Sequence, residues 1–286
     1  MKFAVRLISS IFAAATLVGC GSRSEDRFSK VAIPEENRVD VEFRRLDKEL
    51  TGLNYANSAS EFAKLKDVYA ANDSSDMNFL DIYTEAVLNI GNVDQMETRN
   101  IIQKFATGKP YCEFFQDADS VFPDMSAEKQ ELDNAFSILK TNLPDMNVPK
   151  QYVAIVSGFY SNVLCTKSRL GFSLEYYLGA NYPNYKYVDG LYDYMICNYR
   201  REKLVSDGVF CWLSTEYEFK ESAPTLLQKI IYLGELVYLT SVSLPNEDLH
   251  TILGYTPDQY EWCCQNEAQM WHYMAENKHL FNTDRL

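Results

Sequence analysis

The spacing of apolar residues changes twice along this chain, and this pattern limits the fold more than any other feature of the sequence. Over 58–143 the apolar residues recur every three or four positions, which is typical of amphipathic helices. The segments 39–43, 152–156 and 172–178 instead alternate or are continuously apolar, as strands do. Helical spacing returns from Leu191. The sequence therefore predicts an α+β fold, mainly α-helical with a small β-sheet.

Capping signals indicate where several helices begin. Ser58 with Glu61, and Thr256 with Gln259, match the capping-box pattern, in which two side chains satisfy free N–H groups of the first turn. Further helices are predicted over 79–90, 94–105, 126–143, 200–214, 224–240 and 257–277. About 245 residues at 47% hydrophobic content are enough for one substantial core. We predict a single domain over 39–286, with a helical part at about 58–143 and a sheet-containing and C-terminal helical part at about 146–286.

The N-terminus has the pattern of a bacterial lipoprotein signal. A cationic start with Lys2 and Arg6 precedes an apolar segment of roughly a dozen residues, whereas a transmembrane helix needs about 20. The segment ends in Leu-Val-Gly followed by Cys20, which matches a lipobox. We predict a signal peptide over 1–19, lipid attachment at Cys20 and a flexible tether over 20–38. The expected location is the cell envelope, with the chain lipid-anchored to the inner or outer membrane and its domain facing the periplasm.

The charge balance limits the choice of partners. The sequence has 27 Lys and Arg against 40 Asp and Glu, a formal charge of −13, and loss of Lys2 and Arg6 with the signal peptide changes this to −15. An acidic surface repels phosphate backbones and anionic lipid, so we expect no nucleic-acid partner. Membrane attachment is therefore expected to depend on the acyl chains of Cys20, and other envelope proteins are the expected macromolecular partners.

Six cysteines follow Cys20, and their state is open from sequence. An even number in an exported chain permits disulfides, with 15 possible pairings. Apolar neighbours around Cys165, Cys197 and Cys211 instead favour small buried thiols. Cys263 and Cys264 are adjacent on a predicted helix and poorly placed to pair with each other.

The sequence lacks the familiar catalytic and metal-binding motifs. Its three histidines are His250, His272 and His279, and no H-E-x-x-H, C-x-x-C or G-x-S-x-G occurs. We therefore predict no metal site, no cofactor and no catalytic set, and we expect that the protein is not an enzyme.

Six residues are candidates for binding a partner or ligand. Three are carboxylates in apolar surroundings, where an acid must find hydrogen-bond or charge partners or change its pKa. They are Glu175, expected on one face of a strand, Glu235 in the apolar 230–238 helix, and Glu267 between two tryptophans. Trp262, Asn266 and Trp271 could line a groove, but the favoured interpretation is that with Tyr255 they fix the last helix to the body. Two alternatives stay open, a hydrolase using carboxylates such as Glu175 and Glu267, and a carbohydrate- or peptide-binding module using the tyrosines of 176–199.

Several motifs occur together in a recognisable order. They are V-E-F-R-R-L-D at 41–47, the L-E-x-Y-L-G pattern within 172–179, Tyr182-Pro183-x-Tyr185, the 230–239 helix leading to Leu244-Pro245, and a C-terminal stretch with Gly254-Tyr255-Thr256-Pro257, Trp262, Asn266-Glu267, Trp271, Tyr273 and Leu280-Phe281. Together they resemble the gliding motility-associated lipoprotein GldB family. One departure is Glu235, because the family often carries a basic residue after the glycine of that helix.

The resemblance implies an accessory envelope lipoprotein linked to gliding and to the associated secretion machinery. It also implies a distant likeness to zincin-type metallopeptidases. In that comparison, residues 200–207 of this chain would take the place of the zinc-binding helix. That segment contains no histidine. The fold expected from the resemblance is thus zincin-like without the zinc site, and the expected function is non-enzymatic interaction with other envelope proteins.

Overall fold

The computed structural model describes residues 32–70 and 77–283. Within these ranges the chain is mainly helical with a small mixed sheet, which confirms the predicted α+β class. The predicted signal peptide, Cys20 and most of the predicted tether lie outside the described residues. No helix in the described ranges has both the length and the apolar character needed to cross a membrane.

Four short strands form the sheet, in the order β1-β2-β4-β3. Their bounds are Glu42–Arg45 (β1), Gln151–Ile155 (β2), Val163–Cys165 (β3) and Arg169–Ser173 (β4). β1, β2 and β4 run parallel, whereas β3 pairs antiparallel with β4 and forms one edge. Every residue of β2 and β4 is buried, as expected for central strands covered on both faces.

The helices follow the predicted periodicity closely, with some additions. They are α1 Leu46–Thr51, α2 Ser58–Val68, α3 Phe79–Asp81, α4 Met96–Thr107, α5 Cys112–Val121, α6 Ser126–Asn142, α7 Asp193–Ile196, α8 Lys203–Glu216, α9 Leu226–Ser243, α10 Leu249–Leu253 and α11 Pro257–Glu276. α3 continues as a π-helix over Ile82–Val87. Short 3-10 turns occur at Glu35–Asn37, Tyr55–Asn57, Leu174–Tyr177, Pro183–Tyr187 and His279–Phe281.

Helices cover both faces of the sheet. α8 packs on β3 and β4, with α6 and α9 against its other sides, while α1 packs on β2 and is itself contacted by α4 and α5. The approach of α8 depends on Gly208, because a Cβ there would lie 2.6 Å from the ring of Phe172 on β4. On the opposite face, Gly171 of β4 leaves room for Phe79 at the start of α3. The lack of a side chain at these two glycines therefore lets aromatic residues pack closely on both faces of the sheet.

The predicted strand over 172–178 is wrong beyond Ser173, because β4 covers Arg169–Ser173. β4 ends at Ser173 because its partner β2 ends at Ile155, and the two residues are the last pair of the ladder. Without a partner strand the chain turns into the 3-10 segment Leu174–Tyr177. Glu175 therefore lies on this turn and not on a strand face, which corrects the prediction.

The predicted strand over 39–43 begins later than expected, at Glu42. The backbone N–H groups of Val39 and Val41 donate to the side chains of Ser137 and Asp133 on α6 instead of to a neighbouring strand. Ahead of them, the turn Glu35–Asn37 contacts α6 within the segment predicted as tether.

Helix α11 has the predicted capping box, in which Thr256 Oγ1 accepts from the Gln259 N–H and Gln259 Oε1 accepts from the Thr256 N–H. Ser58 does not act as the predicted cap, since α2 already includes it and the flanking Asn57 makes no side-chain cap bond. The same short pattern thus forms a cap at one helix and not at the other.

Candidate functional site

The C-terminal helix α11 differs from the other long helices, because none of its 20 residues is buried. It contacts the turn His279–Phe281, which in turn packs against α9. The N–H of Leu226 at the start of α9 donates to the carbonyl of Asn282, at 3.0 Å. Residues 226–235 of α9 are also without a buried side chain. We call residues 226–235, α11 and the 279–281 turn the C-terminal lobe.

Large aromatic side chains are exposed on this lobe. The exposed fractions are 57% for Trp262, 61% for Tyr273 and 72% for Phe281. Trp271 is 39% exposed, and Tyr255, just before α11, is 40% exposed. The interpretation that these rings fix the last helix to the body is therefore wrong for Trp262, which keeps more than half of its exposure. An exposed apolar surface of this kind is typical of an interaction site.

The two predicted tryptophans lie on opposite sides of α11. Successive helical residues turn by about 100°, so the nine-residue separation of Trp262 and Trp271 places them about half a turn apart. Trp262, Asn266 and Tyr273 share one side, and Glu267 and Trp271 share the other. The four predicted residues of α11 therefore do not line a single groove. Asn266 Nδ2 donates to the Trp262 carbonyl at 2.8 Å, which fixes its amide along the helix.

Glu235, the candidate on α9, is half-buried in the same lobe. Desolvation raises the pKa of its carboxyl. It lies close in sequence to the exposed side chains of Ile231 and Leu233, and all three belong to the part of α9 that has no buried residue.

Glu175 belongs to the interior and not to a binding surface. It is fully buried, and its Oε1 accepts from the Ser157 N–H at 2.7 Å, the Ser157 hydroxyl at 2.7 Å and the Phe159 N–H at 3.0 Å. Gly158 and Phe159 have positive φ angles of 70° and 68°. A carboxylate with three converging donors can hold such a turn, and we assign it this role. Desolvation raises the pKa of the Glu175 carboxyl, and this effect is larger than the opposing effect of the hydrogen bonds, which lower it.

The carboxylate-hydrolase alternative required two acids converging in one cleft, as acid/base pairs do. Glu175 is enclosed in the core, while Glu267 is exposed on α11. These two carboxylates therefore do not form such a pair.

A polar cleft of about 270 Å³ lies at the start of α8, beside the 3-10 turn that follows β4. Lys203 and Asp207, one helical turn apart, form an ion pair at 2.8 Å. Lys203 Nζ also donates to the Ile252 carbonyl at 3.0 Å, and Asp207 accepts from the Tyr177 hydroxyl at 3.1 Å. Asn162 donates to the same carboxylate at 3.4 Å. Burial raises the pKa of Tyr177 well above its usual value, so the phenol stays neutral.

A further acid contributes to the charge around this ion pair. Burial raises the pKa of Glu247 to about 7, with smaller opposing effects from a hydrogen bond to Ser206 and the positive charge of Lys203. Sequence reasoning missed the whole cluster. The Lys203 to Asp207 spacing of four was visible within the 200–207 segment, but nothing along the chain indicated Tyr177, Asn162 or Glu247 as neighbours.

The helix proposed to take the place of a zinc-binding helix thus presents a lysine and an aspartate to the cleft. Lysine is not a usual metal ligand, and this pair satisfies its own charges. Among residues 32–70 and 77–283, no group of three or more His, Cys, Asp or Glu could hold a metal ion.

The tyrosine-rich segment is divided between interior and surface. Tyr176, Tyr177, Tyr185 and Tyr199 are buried. Tyr187, Tyr192 and Tyr194 are 74%, 61% and 73% exposed, and the last two stack with ring centroids 5.8 Å apart and planes 7° apart. The segment therefore forms part of the core and also leaves an aromatic surface beside the cleft that Met195 and Asn198 line.

Comparison with family models confirms the resemblance seen in the motifs. The family described as gliding motility protein GldB matches residues 28–286, nearly the whole chain. Comparison with curated proteins and with solved structures finds no match. The likeness to zincin-type metallopeptidases stays a prediction.

Proposed function

The chain belongs to the GldB family of gliding motility proteins, and on this premise we propose that it is a non-enzymatic accessory lipoprotein of the gliding or associated secretion machinery. In this proposal the lipid on Cys20 holds the domain at an envelope membrane, and the C-terminal lobe binds another envelope protein. The domain faces the periplasm.

The exposed α11 helix is the observation that supports this function best. A helix of 20 residues with Trp262 and Tyr273 in solvent gains little from packing on its own domain. Aromatic side chains are enriched at protein interfaces, where a few of them supply most of the binding free energy.

The charge of α11 indicates the chemistry of the partner. The helix contains four acidic residues, Asp258, Glu261, Glu267 and Glu276, and no Lys or Arg. Opposite charges favour encounter and orientation, so the partner surface should combine basic side chains with apolar pockets for the rings. The same acidic charge disfavours docking on anionic lipid.

In-cell photo-crosslinking and motility measurements test this proposal together. A photoreactive benzophenone side chain at position 262 should crosslink to one defined envelope protein, and the same group at the equally exposed Tyr160, 60% in solvent, should not. The double variant Trp262→Ala, Tyr273→Ala should reduce surface spreading or protein secretion toward the level of a deletion strain. Its amount in the membrane should stay unchanged.

Two results would contradict the proposal. Normal spreading and secretion in the double variant would exclude α11 as the binding surface. Normal spreading and secretion in a deletion strain that has lost a hydrolytic activity would show an enzyme instead.

A second function, binding of a carbohydrate or peptide, is supported by the stacked pair Tyr192 and Tyr194 beside the polar cleft. Exposed aromatic faces bind sugar rings or peptide side chains, and the amides of Asn162 and Asn198 could orient polar groups. Titration with envelope glycan fragments, followed by tyrosine fluorescence, should then show saturable binding that Tyr192→Ala, Tyr194→Ala abolishes. Equal binding by the variant and the parent protein would exclude this surface.

A further inference from the structure

Cys165 and Cys211 come together although 46 positions separate them in the sequence. Cys165 ends the edge strand β3, and Cys211 lies in the middle of α8, which packs across that strand. Their sulfur atoms are 2.8 Å apart. This places the two side chains within the reach of a disulfide, which requires close Cβ atoms and suitably directed side chains.

Both cysteines are half-buried, contrary to the prediction of small buried thiols. Cys165 lies in the wall of an open cleft of about 830 Å³, together with Thr166 and Thr215. Since both side chains are partly exposed and the cleft opens beside them at Cys165, a small or protein-borne oxidant can reach this pair of thiols from solvent. Of the six described cysteines only Cys112 is buried.

From this geometry we infer that Cys165 and Cys211 form a disulfide in the exported protein, which joins the edge strand β3 to α8. The proposal concerns a different part of the molecule from the C-terminal lobe and does not depend on the proposed function. It needs an oxidising compartment, which the predicted signal peptide provides.

The chemistry is thiol–disulfide exchange with a protein disulfide of the oxidoreductase class. The Cys211 thiolate attacks one sulfur of the donor disulfide, which forms a mixed disulfide and releases one donor thiolate. The Cys165 thiolate then attacks the Cys211 sulfur and releases the second donor thiolate. The two protons lost by the cysteines pass to the donor, which is reduced to a dithiol while the protein is oxidised.

The hydrogen bond between the two sulfurs supports this order of attack. The Cys165 thiol donates to Cys211, which lowers the pKa of Cys211 and leaves Cys165 as the thiol that loses its proton later. Since the thiolate is the nucleophile, Cys211 is the group that begins the exchange.

The bond would stabilise a part of the sheet that is otherwise weakly held. β3 has three residues and pairs with β4 alone. A covalent link across a loop of this length lowers the entropy of the unfolded chain. We expect reduction of the bond to lower Tm by about 10 °C.

Mass mapping of the full lipoprotein tests the inference without any variant. The protein is purified from envelopes in detergent after acid quenching and alkylation with N-ethylmaleimide. We expect a linked pair of peptides containing Cys165 and Cys211, and alkylation of the other four described cysteines. Complete alkylation of all six, or a linkage between other cysteines, would overturn the inference.

Variants extend the same test to stability. Oxidised glutathione as the probe should raise Tm of the reduced protein, and Cys165→Ser or Cys211→Ser should each abolish that rise. The matched control Cys197→Ser, another half-buried cysteine, should keep it. A rise that persists in both variants would also overturn the inference.

Discussion

Buried carboxyl groups are the clearest feature at the scale of single residues. Glu175 and Glu247 both have a raised pKa because burial disfavours the charged form. Such a group binds its proton more tightly in the folded protein than in the unfolded chain. Its contribution to stability is therefore largest below the unfolded pKa and is lost as the pH rises through the folded pKa.

Glu247 gives a testable pH window. With a folded pKa of about 7 against 4.5 unfolded, it should lower stability as the pH rises from about 4.5 to 7. The loss is on the order of 2 kcal/mol once the partial exposure of the side chain is considered. Glu247→Gln should flatten this part of the stability curve, measured by urea unfolding at several pH values.

The exposed Glu97 supplies the control for that measurement. Glu97→Gln should leave the slope of the parent protein unchanged. Equal slopes for Glu247→Gln and the parent would show that Glu247 does not titrate in this window.

At the scale of secondary-structure elements, the polar cleft and the Cys165–Cys211 pair both depend on the packing of α8 against the sheet. This contact is close because Gly208 faces the ring of Phe172, which is fully buried. The position of α8 therefore depends on the lack of a side chain at one residue.

Gly208→Ala should destabilise the protein. Its new methyl group would lie 2.6 Å from the Phe172 ring, and overpacking of this kind costs about 1–3 kcal/mol. The better helix propensity of alanine offsets roughly 1 kcal/mol of this. We expect a net loss of up to about 2 kcal/mol in chemical denaturation.

A double-mutant cycle identifies the cause of that loss. Phe172→Leu removes the ring atoms that the methyl group would meet, so Gly208→Ala should cost less in that background. An equal cost in both backgrounds would exclude the clash as the cause.

At the scale of the whole molecule, the proposed lipid on Cys20 is expected to hold the acidic domain at the membrane. Cys20→Ser should leave a domain with an unchanged Tm but should release it from the membrane fraction and abolish function. Cys197→Ser should stay in the membrane fraction. Normal complementation of a deletion strain by Cys20→Ser would contradict this prediction.

Local signals in the sequence were sufficient for much of the fold. The start of α11 followed from Thr256, Pro257 and Gln259, because a capping box is made within one turn and needs no distant partner. The helical stripe of α6 and the apolar run of β2 were predictable for the same reason. Glu175 was misplaced because the end of β4 depends on where β2 ends.

The sequence by itself determined the class of fold, most helix positions, the acidic charge and the family. Only the tertiary structure decided that α11 lies with its tryptophans in solvent, that Lys203 and Asp207 face Tyr177, and that Cys165 meets Cys211. The physical reason is chain distance. Periodicity and capping act over a few residues, whereas burial and side-chain pairing depend on which distant segments pack together in the folded chain.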